Sequence, residues 1–287
     1  MRQGFAIGAG IIVAGLLLEL CVGKVFWDAF TWPANLIVLL LLMAIITGIH
    51  LLRKKVYAFR FLSTYQAAIP AMIYAVVLTV IMGLTRQTVN GQWLNDMLSF
   101  WPFVLIYVYI SLILGLIIIR RLTHFRFTTS NIQFILFHLG LFIVITTATL
   151  GNADMQRLKM ITSEGEPEWR ALDAQHQVIE LPLAIELEKF IMETYDDGSP
   201  KRFASQIEIL TQTNKRLRTI VDVNKPVQVD GWKIYQYGYD QSMGAMSKTS
   251  IFELVRDPWL PAVYTGIYMM LLGALCMFIF GTKTKKA

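Results

Sequence analysis

The chain has 287 residues, of which 55% are hydrophobic and only 16% charged, and its net charge is +6. A mean hydropathy of +0.51 is typical of a chain solvated largely by lipid. This composition excludes an ordinary water-soluble enzyme and a disordered chain. It also excludes nucleic acid as a partner, because the basic residues lie at the ends of apolar segments and not in one binding face.

Six apolar stretches are each long enough to cross a bilayer, which takes about 20 residues of helix. We place them at residues 5–22, 34–52, 65–85, 101–119, 131–150 and 259–281. An even number of spans puts both ends of the chain on the same side. The sequence therefore predicts an α-helical polytopic membrane protein with six transmembrane helices.

The basic residues predict which side that is. The two termini and the loops after the second and fourth spans hold eleven Lys or Arg and no Asp or Glu: Arg2, Arg53, Lys54, Lys55, Arg60, Arg120, Arg121, Arg126, Lys283, Lys285 and Lys286. The two short opposite loops hold Lys24 and Arg86 beside Asp28 and Asp96. Because Lys-rich and Arg-rich loops stay in the cytoplasm, we expect both termini to be cytoplasmic.

In that topology the long segment 151–257 lies outside the cytoplasm, and it is acidic, with 13 basic and 17 acidic residues. Apolar and polar residues alternate at the start of Glu180–Tyr195 and through Phe203–Thr211, which is typical of half-buried strands. Leu217–Val223 indicates a shorter strand. These patterns predict a mainly β extracytoplasmic domain between helices five and six, built as a small antiparallel sheet or sandwich.

Turn signals complete this domain. Asp230-Gly231, between two apolar runs of Val227–Tyr239, predicts a tight hairpin. The composition of Gly151–Glu168 predicts a linker or loop, and Asp257-Pro258 predicts the cap and first residue of the last helix. The predicted domains are a five-helix region (1–150), an extracytoplasmic β-rich domain (151–257), and a final helix with a basic tail (258–287).

Motifs exclude several classes of enzyme. The two cysteines, Cys21 and Cys276, lie inside predicted spans and belong to no C-x-x-C pair, so a thioredoxin-like site, a zinc ribbon and a disulfide are not expected. No C-x-x-C-H occurs, and the chain is therefore not itself a c-type cytochrome. Walker A and G-x-S-x-G motifs are missing too.

Ionisable groups inside a membrane are costly and tend to have a role. Glu19, near the outer end of the first span, is expected to reach the interface or pair with a neighbouring helix. His50 lies beside the basic cytoplasmic cluster, and His124 and His176 are expected to be solvated. His138 has aromatic and aliphatic neighbours within the fifth span, where a neutral imidazole needs a hydrogen-bond partner or a metal. Its chemistry alone leaves helix packing and haem ligation equally open.

The stretch FILFHLGLFIVITTATLGNADMQRLKM (Phe134–Met160) resembles the histidine-bearing helix of the ResB/CcsB family, the membrane subunits of system II cytochrome c biogenesis. Arg202–Leu210, Val223–Asp240 and Val255–Gly273 resemble the family's extracytoplasmic domain and closing helix, in the same order. The resemblance covers about 134–281. The tryptophan-rich segment of the CcsA half is missing, which implies the unfused CcsB half.

The resemblance implies a subunit of a cytochrome c synthase complex in the bacterial inner membrane. Such a subunit works with a CcsA-like membrane protein to bind haem b as a transported substrate. It delivers the haem across the membrane for covalent attachment to the C-x-x-C-H of apocytochrome c. By motif position His138 would be an axial ligand of the haem iron, with the second ligand from the partner. Whether the subunit is non-catalytic or partly catalytic stays open.

Other functions remain. A structural subunit that holds apocytochrome would have no haem site, and its His138 would only pack helices. A b-type cytochrome with two bis-histidine haems would need four membrane histidines, and only His50 and His138 qualify. A receptor would need a cytoplasmic output domain. The third and fourth spans, about 65–119, resemble an insertion in the family's core, and their role does not follow from the sequence.

Overall fold

The structure is a computed structural model that describes residues 1–88 and 91–281. The described chain divides into two compact units. One contains residues 1–153 together with the last helix, and the other is Asp154–Pro258. The predicted basic tail, with Lys283, Lys285 and Lys286, lies outside the described residues.

The first unit is helical, because long apolar runs satisfy their backbone hydrogen bonds internally only as helices. Within the described residues six of its helices are apolar and long enough to span a membrane. They are α1 (Arg2–Val22), α2 (Ala34–Leu52), α4 (Tyr65–Leu84), α5 (Trp101–Leu122), α6 (Thr129–Gly151) and α7 (Leu260–Phe280). Each predicted span is confirmed as a helix, with ends that differ by at most three residues. The sequence did not predict the short helix α3 (Tyr57–Leu62).

The central element of this unit is α5, which packs against α1, α2, α4 and α6. Buried residues make up 56% of its apolar stretch, against 28% or less of the same stretch in the other five candidate spans. A cluster at its N-terminal half joins it to α4 and contains Ala75, Leu78, Met97, Phe100, Phe103 and Ile106. The segment that resembled an insertion therefore supplies much of the core of the helical unit.

Glycines let α6 and α7 approach closely. A Cβ atom at Gly140 would lie 2.6 Å from the carbonyl oxygen of Gly266, and one at Gly266 would lie 2.7 Å from the carbonyl oxygen of Gly140. Small residues at helix interfaces allow this contact inside membranes. Gln133 Nε2 also donates to the carbonyl oxygen of Cys276 at 2.8 Å. Both cysteines are free thiols, as expected.

The second unit is one antiparallel sheet. In the described residues its strands are β1 (Gln156–Ser163), β2 (Pro167–Leu172), β3 (Val178–Thr194), β4 (Pro200–Thr211), β5 (Arg216–Asp222), β6 (Val227–Val229), β7 (Trp232–Tyr239) and β8 (Thr249–Arg256). Their order across the sheet is β5-β4-β3-β2-β1-β8-β7-β6. The predicted mainly β domain after the fifth span is therefore confirmed.

The sheet curls so that its two ends share one core. Ser205 on β4 and Ser250 on β8 share a buried hydrogen bond of 2.6 Å between their hydroxyl groups, although three strands separate β4 from β8 in the sheet. The apolar core takes residues from both ends, including Val221 on β5 and Ile234 on β7. The shape is that of a sandwich made from one folded sheet.

The predicted hairpin forms: Asp230 and Gly231 have φ values of 46° and 84° between the paired strands β6 and β7. Two other expectations were wrong. Gly151–Glu168 is not a linker, because it contains all of β1, which pairs with β8 along its length. Asp257-Pro258 precedes the last helix, whose cap position is Trp259 and whose early proline is Pro261.

Candidate functional site

The start of α6 is fixed by two hydrogen bonds in the turn that follows α5. Thr128 caps the helix, its hydroxyl oxygen accepting from the backbone N–H of Asn131, as N-cap threonines do. Asn131 Nδ2 in turn donates to the carbonyl oxygen of Arg126 at 2.8 Å. The helix begins at Thr129, two residues earlier than predicted. His138 is therefore about 14 Å along the helix from this end, at 1.5 Å per residue.

His138 is held in one ring orientation by its own helix. Its Nδ1 lies 2.9 Å from the carbonyl oxygen of Phe134. A carbonyl oxygen can only accept a hydrogen bond, so Nδ1 is the nitrogen that carries the proton. In the neutral ring Nε2 then keeps its lone pair, which is the arrangement of a histidine that ligates a metal through Nε2.

Aromatic rings pack on the imidazole. The ring of Phe134 stacks on it with a centroid distance of 3.8 Å and an interplanar angle of 17°, and Phe137 meets it edge-on at 5.9 Å. The side chain of His138 is only half-buried, and Nε2 has no hydrogen-bond partner among the residues that the structure describes. No group of the described residues therefore occupies Nε2.

A basic region begins one helical turn from the histidine. The guanidinium carbon of Arg121 lies 5.0 Å from the ring centroid of Phe134. Phe134, Arg120, Arg121 and His124 line part of a cavity of 560 Å³ at this end of the helical unit. His138 itself is not among the residues that line this cavity.

The structure does not join the other histidines to His138. Arg53 Nη1 donates to His50 Nδ1 at 3.2 Å, and His124 Nδ1 lies 3.1 Å from the Thr123 hydroxyl oxygen. His176 is exposed in a turn of the β unit, with φ 63°. In the described part of the chain no three His, Cys, Asp or Glu side chains gather as a metal site.

Glu19 has a structural role that the sequence left open. Its side chain is buried, with 9% exposed, and its Oε2 accepts from the backbone N–H of Trp101 at 3.2 Å. Trp101 is the first residue of α5, so the carboxylate lies at the positive end of that helix dipole. Of the two alternatives for Glu19, the structure shows pairing with a neighbouring helix.

Comparison with known proteins identifies part of this architecture. A family described as ResB-like matches residues 125–251. The resemblance to the ResB/CcsB family is confirmed. The matched range contains α6 with His138 and the sheet from β1 into β8. The motif Val255–Gly273 and the spans within 65–119 lie outside it.

Curated relatives cover a similar part of the chain. "Cytochrome c biogenesis protein CcsB" of Prochlorococcus marinus subsp. pastoris is 27% identical over 139 residues, which is 48% of this chain and 32% of that protein. The protein of the same name in a second strain of Prochlorococcus marinus is 26% identical over 113 residues, or 39% and 25%. The matched region thus spans about a third or less of these relatives' length. Their names place the resemblance in cytochrome c biogenesis.

A solved structure, "Cytochrome c Heme Lyase CcmF", covers 80% of this chain and 41% of its own chain, with 14% identity and a TM-score of 0.36. A score of that size establishes no common fold.

Proposed function

We propose that this protein is a subunit of a cytochrome c synthase complex that binds haem in the membrane and delivers it for attachment to apocytochrome c. The observation that carries the proposal is the geometry of His138: its Nδ1–H is bound to its own helix, and its Nε2 has no partner among the described residues. The ResB-like match over the same helix and the names of the relatives support cytochrome c biogenesis as the setting.

In this proposal His138 gives one axial ligand to the iron of the transported haem b. The flat apolar ring of Phe134 beside it suits a porphyrin edge or face, and the orienting Nδ1–H bond raises the basicity of Nε2. A half-buried imidazole can meet a second protein at the surface of the helical unit. Since the structure does not join His50 or His124 to His138, the opposite ligand comes from a CcsA-like partner, as the family resemblance implies. The same resemblance implies apocytochrome c with its C-x-x-C-H as the acceptor.

The alternative is a structural subunit that holds apocytochrome and has no haem site of its own. The haem content of the full-length protein, purified with its CcsA-like partner, separates the two. We expect about one b-type haem per complex in the reduced absorbance spectrum. A complex that assembles and matures cytochrome c without bound haem supports the structural alternative.

Orientation is a separate prediction. The predicted cytoplasmic face holds eleven Lys or Arg residues and no Asp or Glu. We therefore expect both termini to lie on the cytoplasmic side of the inner membrane and residues 151–257 to lie outside. Alkaline phosphatase, which is active only outside the cytoplasm, should be active when fused after Asp197 and inactive when fused after Lys54 or Lys286. The opposite pattern of activities would overturn the topology.

A further inference from the structure

The helical unit contains a second potential binding site, at the ends of its helices. Two cavities of 460 and 560 Å³ share the residues Ser63, Thr64 and Arg120. Their other basic lining residues come from the segment after α2, from α3 and from the end of α5. They are Arg53, Lys54, Arg60 and Arg121. The two cavities therefore form one strongly basic site.

These charges are not neutralised within the described chain. No Asp or Glu occurs between residues 29 and 95 or between 97 and 153, and the ion pairs of the described residues lie elsewhere. Arg53 binds His50, Arg60 lies over the Tyr57 ring, and Arg120 Nη1 donates to the carbonyl oxygen of Ser63 at 3.2 Å. None of these neighbours carries a negative charge.

Two buried polar atoms at the site lack partners in the described residues. The hydroxyl oxygen of Ser63 and Nε of Arg121 make no hydrogen bond, although Ser63 is only 8% exposed. Both residues line the larger cavity. Buried polar atoms are normally satisfied, so two donors beside one cavity indicate an acceptor that the protein itself does not supply.

The first turn of α4 adds further donors. The Thr64 side chain donates to the carbonyl oxygen of Phe61 at 2.7 Å and does not cap α4. The first N–H groups of a helix have no partner within that helix. Here the N–H groups of Ala67 and Ala68 donate to the carbonyl oxygen of Thr64, while those of Tyr65 and Gln66 make no such bond in the described residues, and Tyr65 lines the larger cavity. Ala68 and Ile117, one turn inside their helices, give the same cavity an apolar wall.

The geometry points to a site for the phosphate headgroup of an anionic phospholipid. Basic pockets between transmembrane helices bind such headgroups. The phosphate oxygens accept from Arg120, Arg121 and the Ser63 hydroxyl, while the acyl chains follow the apolar wall formed by Ala68 and Ile117. The site lies where five helices begin or end, which is the depth of lipid headgroups in a bilayer. The inference requires no haem and does not depend on the proposed function.

The test counts lipids retained by the full-length protein after extraction from nanodiscs of phosphatidylglycerol and phosphatidylcholine, by native mass spectrometry. The wild type should retain one phosphatidylglycerol. Arg120→Gln with Arg121→Gln should weaken retention about 25-fold, since each basic residue near a membrane surface contributes about a fivefold factor. Ser63→Ala keeps every charge and should weaken it about fivefold through the lost hydrogen bond.

The matched control is Lys55→Gln with Arg126→Gln, which removes two charges from the same loops at residues that do not line the cavities. It should retain the lipid. Equal loss in control and test variants overturns a specific site. Retention in both test variants overturns it too. Displacement of the lipid by inorganic phosphate at low millimolar concentration, or by stoichiometric haem, would assign the site to a free anion or to haem carboxylates and would also overturn the proposal.

Discussion

We expect His138→Ala to lower the haem content of the purified complex at least about tenfold and to abolish cytochrome c maturation, at normal protein abundance. The substitution removes Nε2, whose lone pair the proposed function assigns to the haem iron. Loss of a group that only orients a metal ligand already costs about 10- to 100-fold in metal affinity. Loss of the ligand itself should cost no less.

The measurement is the absorbance spectrum and haem-to-protein ratio of the complex, with covalent haem in a reporter cytochrome as the second readout. His50→Ala and His124→Ala are the matched controls, because each removes an imidazole whose contacts lie away from His138. Both should keep their haem. Imidazole added to the His138→Ala protein should restore part of the spectrum by occupying the vacated position.

Phe134→Leu tests the surroundings of the histidine separately. The backbone carbonyl that holds Nδ1 is unchanged by this substitution, while the stacked ring is lost. We expect a smaller loss of haem than in His138→Ala and a shifted spectrum. If His138→Ala leaves haem content and spectrum unchanged at normal abundance, the histidine only packs helices, and the structural alternative is favoured.

The spans were predictable because the length of an apolar run is a local property of the sequence. The ends of the six predicted helices differ from the structure by three residues or fewer, and helix ends vary by one or two residues in any assignment. What the sequence does not encode locally is which helix becomes central. The segment that resembled an insertion contains α5, on which α1, α2, α4 and α6 pack.

The strand β1 was not predicted, for a different reason. In β1 the buried positions are Leu158, Met160 and Thr162, a regular alternation that was present in the sequence. A polar threonine at the third inward position and nearby Gly, Glu and Pro made the segment resemble a loop. Its pairing with β8, about 90 residues later in the chain, is a tertiary contact that no local pattern predicts.

The candidate site also contains some contacts that are local in the sequence and others that are not. Phe134 lies four residues before His138, and residues at that spacing share a helix face, so the contact between their rings was accessible from the sequence. The contact of Arg121 with Phe134 joins two helices, α5 and α6, and could not be predicted from the sequence. The partner of Glu19, the N–H group of Trp101, is 82 residues away in the chain.

The second large effect is expected at the interface of α6 and α7, where Gly140→Ala should lower the midpoint of thermal unfolding by about 5 °C or more. The added methyl carbon would lie 2.6 Å from the carbonyl oxygen of Gly266 and 3.0 Å from the backbone nitrogen of Met270. Because backbone atoms cannot rotate away as a side chain can, the helices must separate. Overpacking of this kind costs about 1–3 kcal/mol, and one kcal/mol shifts the midpoint of a large domain by about 2–4 °C.

The matched control is Gly48→Ala on α2, where a Cβ atom would meet nothing within 4 Å. Alanine is the better helix former by about 0.8–1.0 kcal/mol, so this variant should be neutral or slightly more stable. Gly266→Ala should repeat the Gly140→Ala result from the other helix, since its Cβ would lie 2.7 Å from the Gly140 carbonyl oxygen. Unfolding of the full-length protein in detergent, followed by tryptophan fluorescence, checks all three. If Gly140→Ala and Gly48→Ala unfold at the same temperature, α6 and α7 do not pack through these glycines, and the helix that carries His138 is held by other contacts.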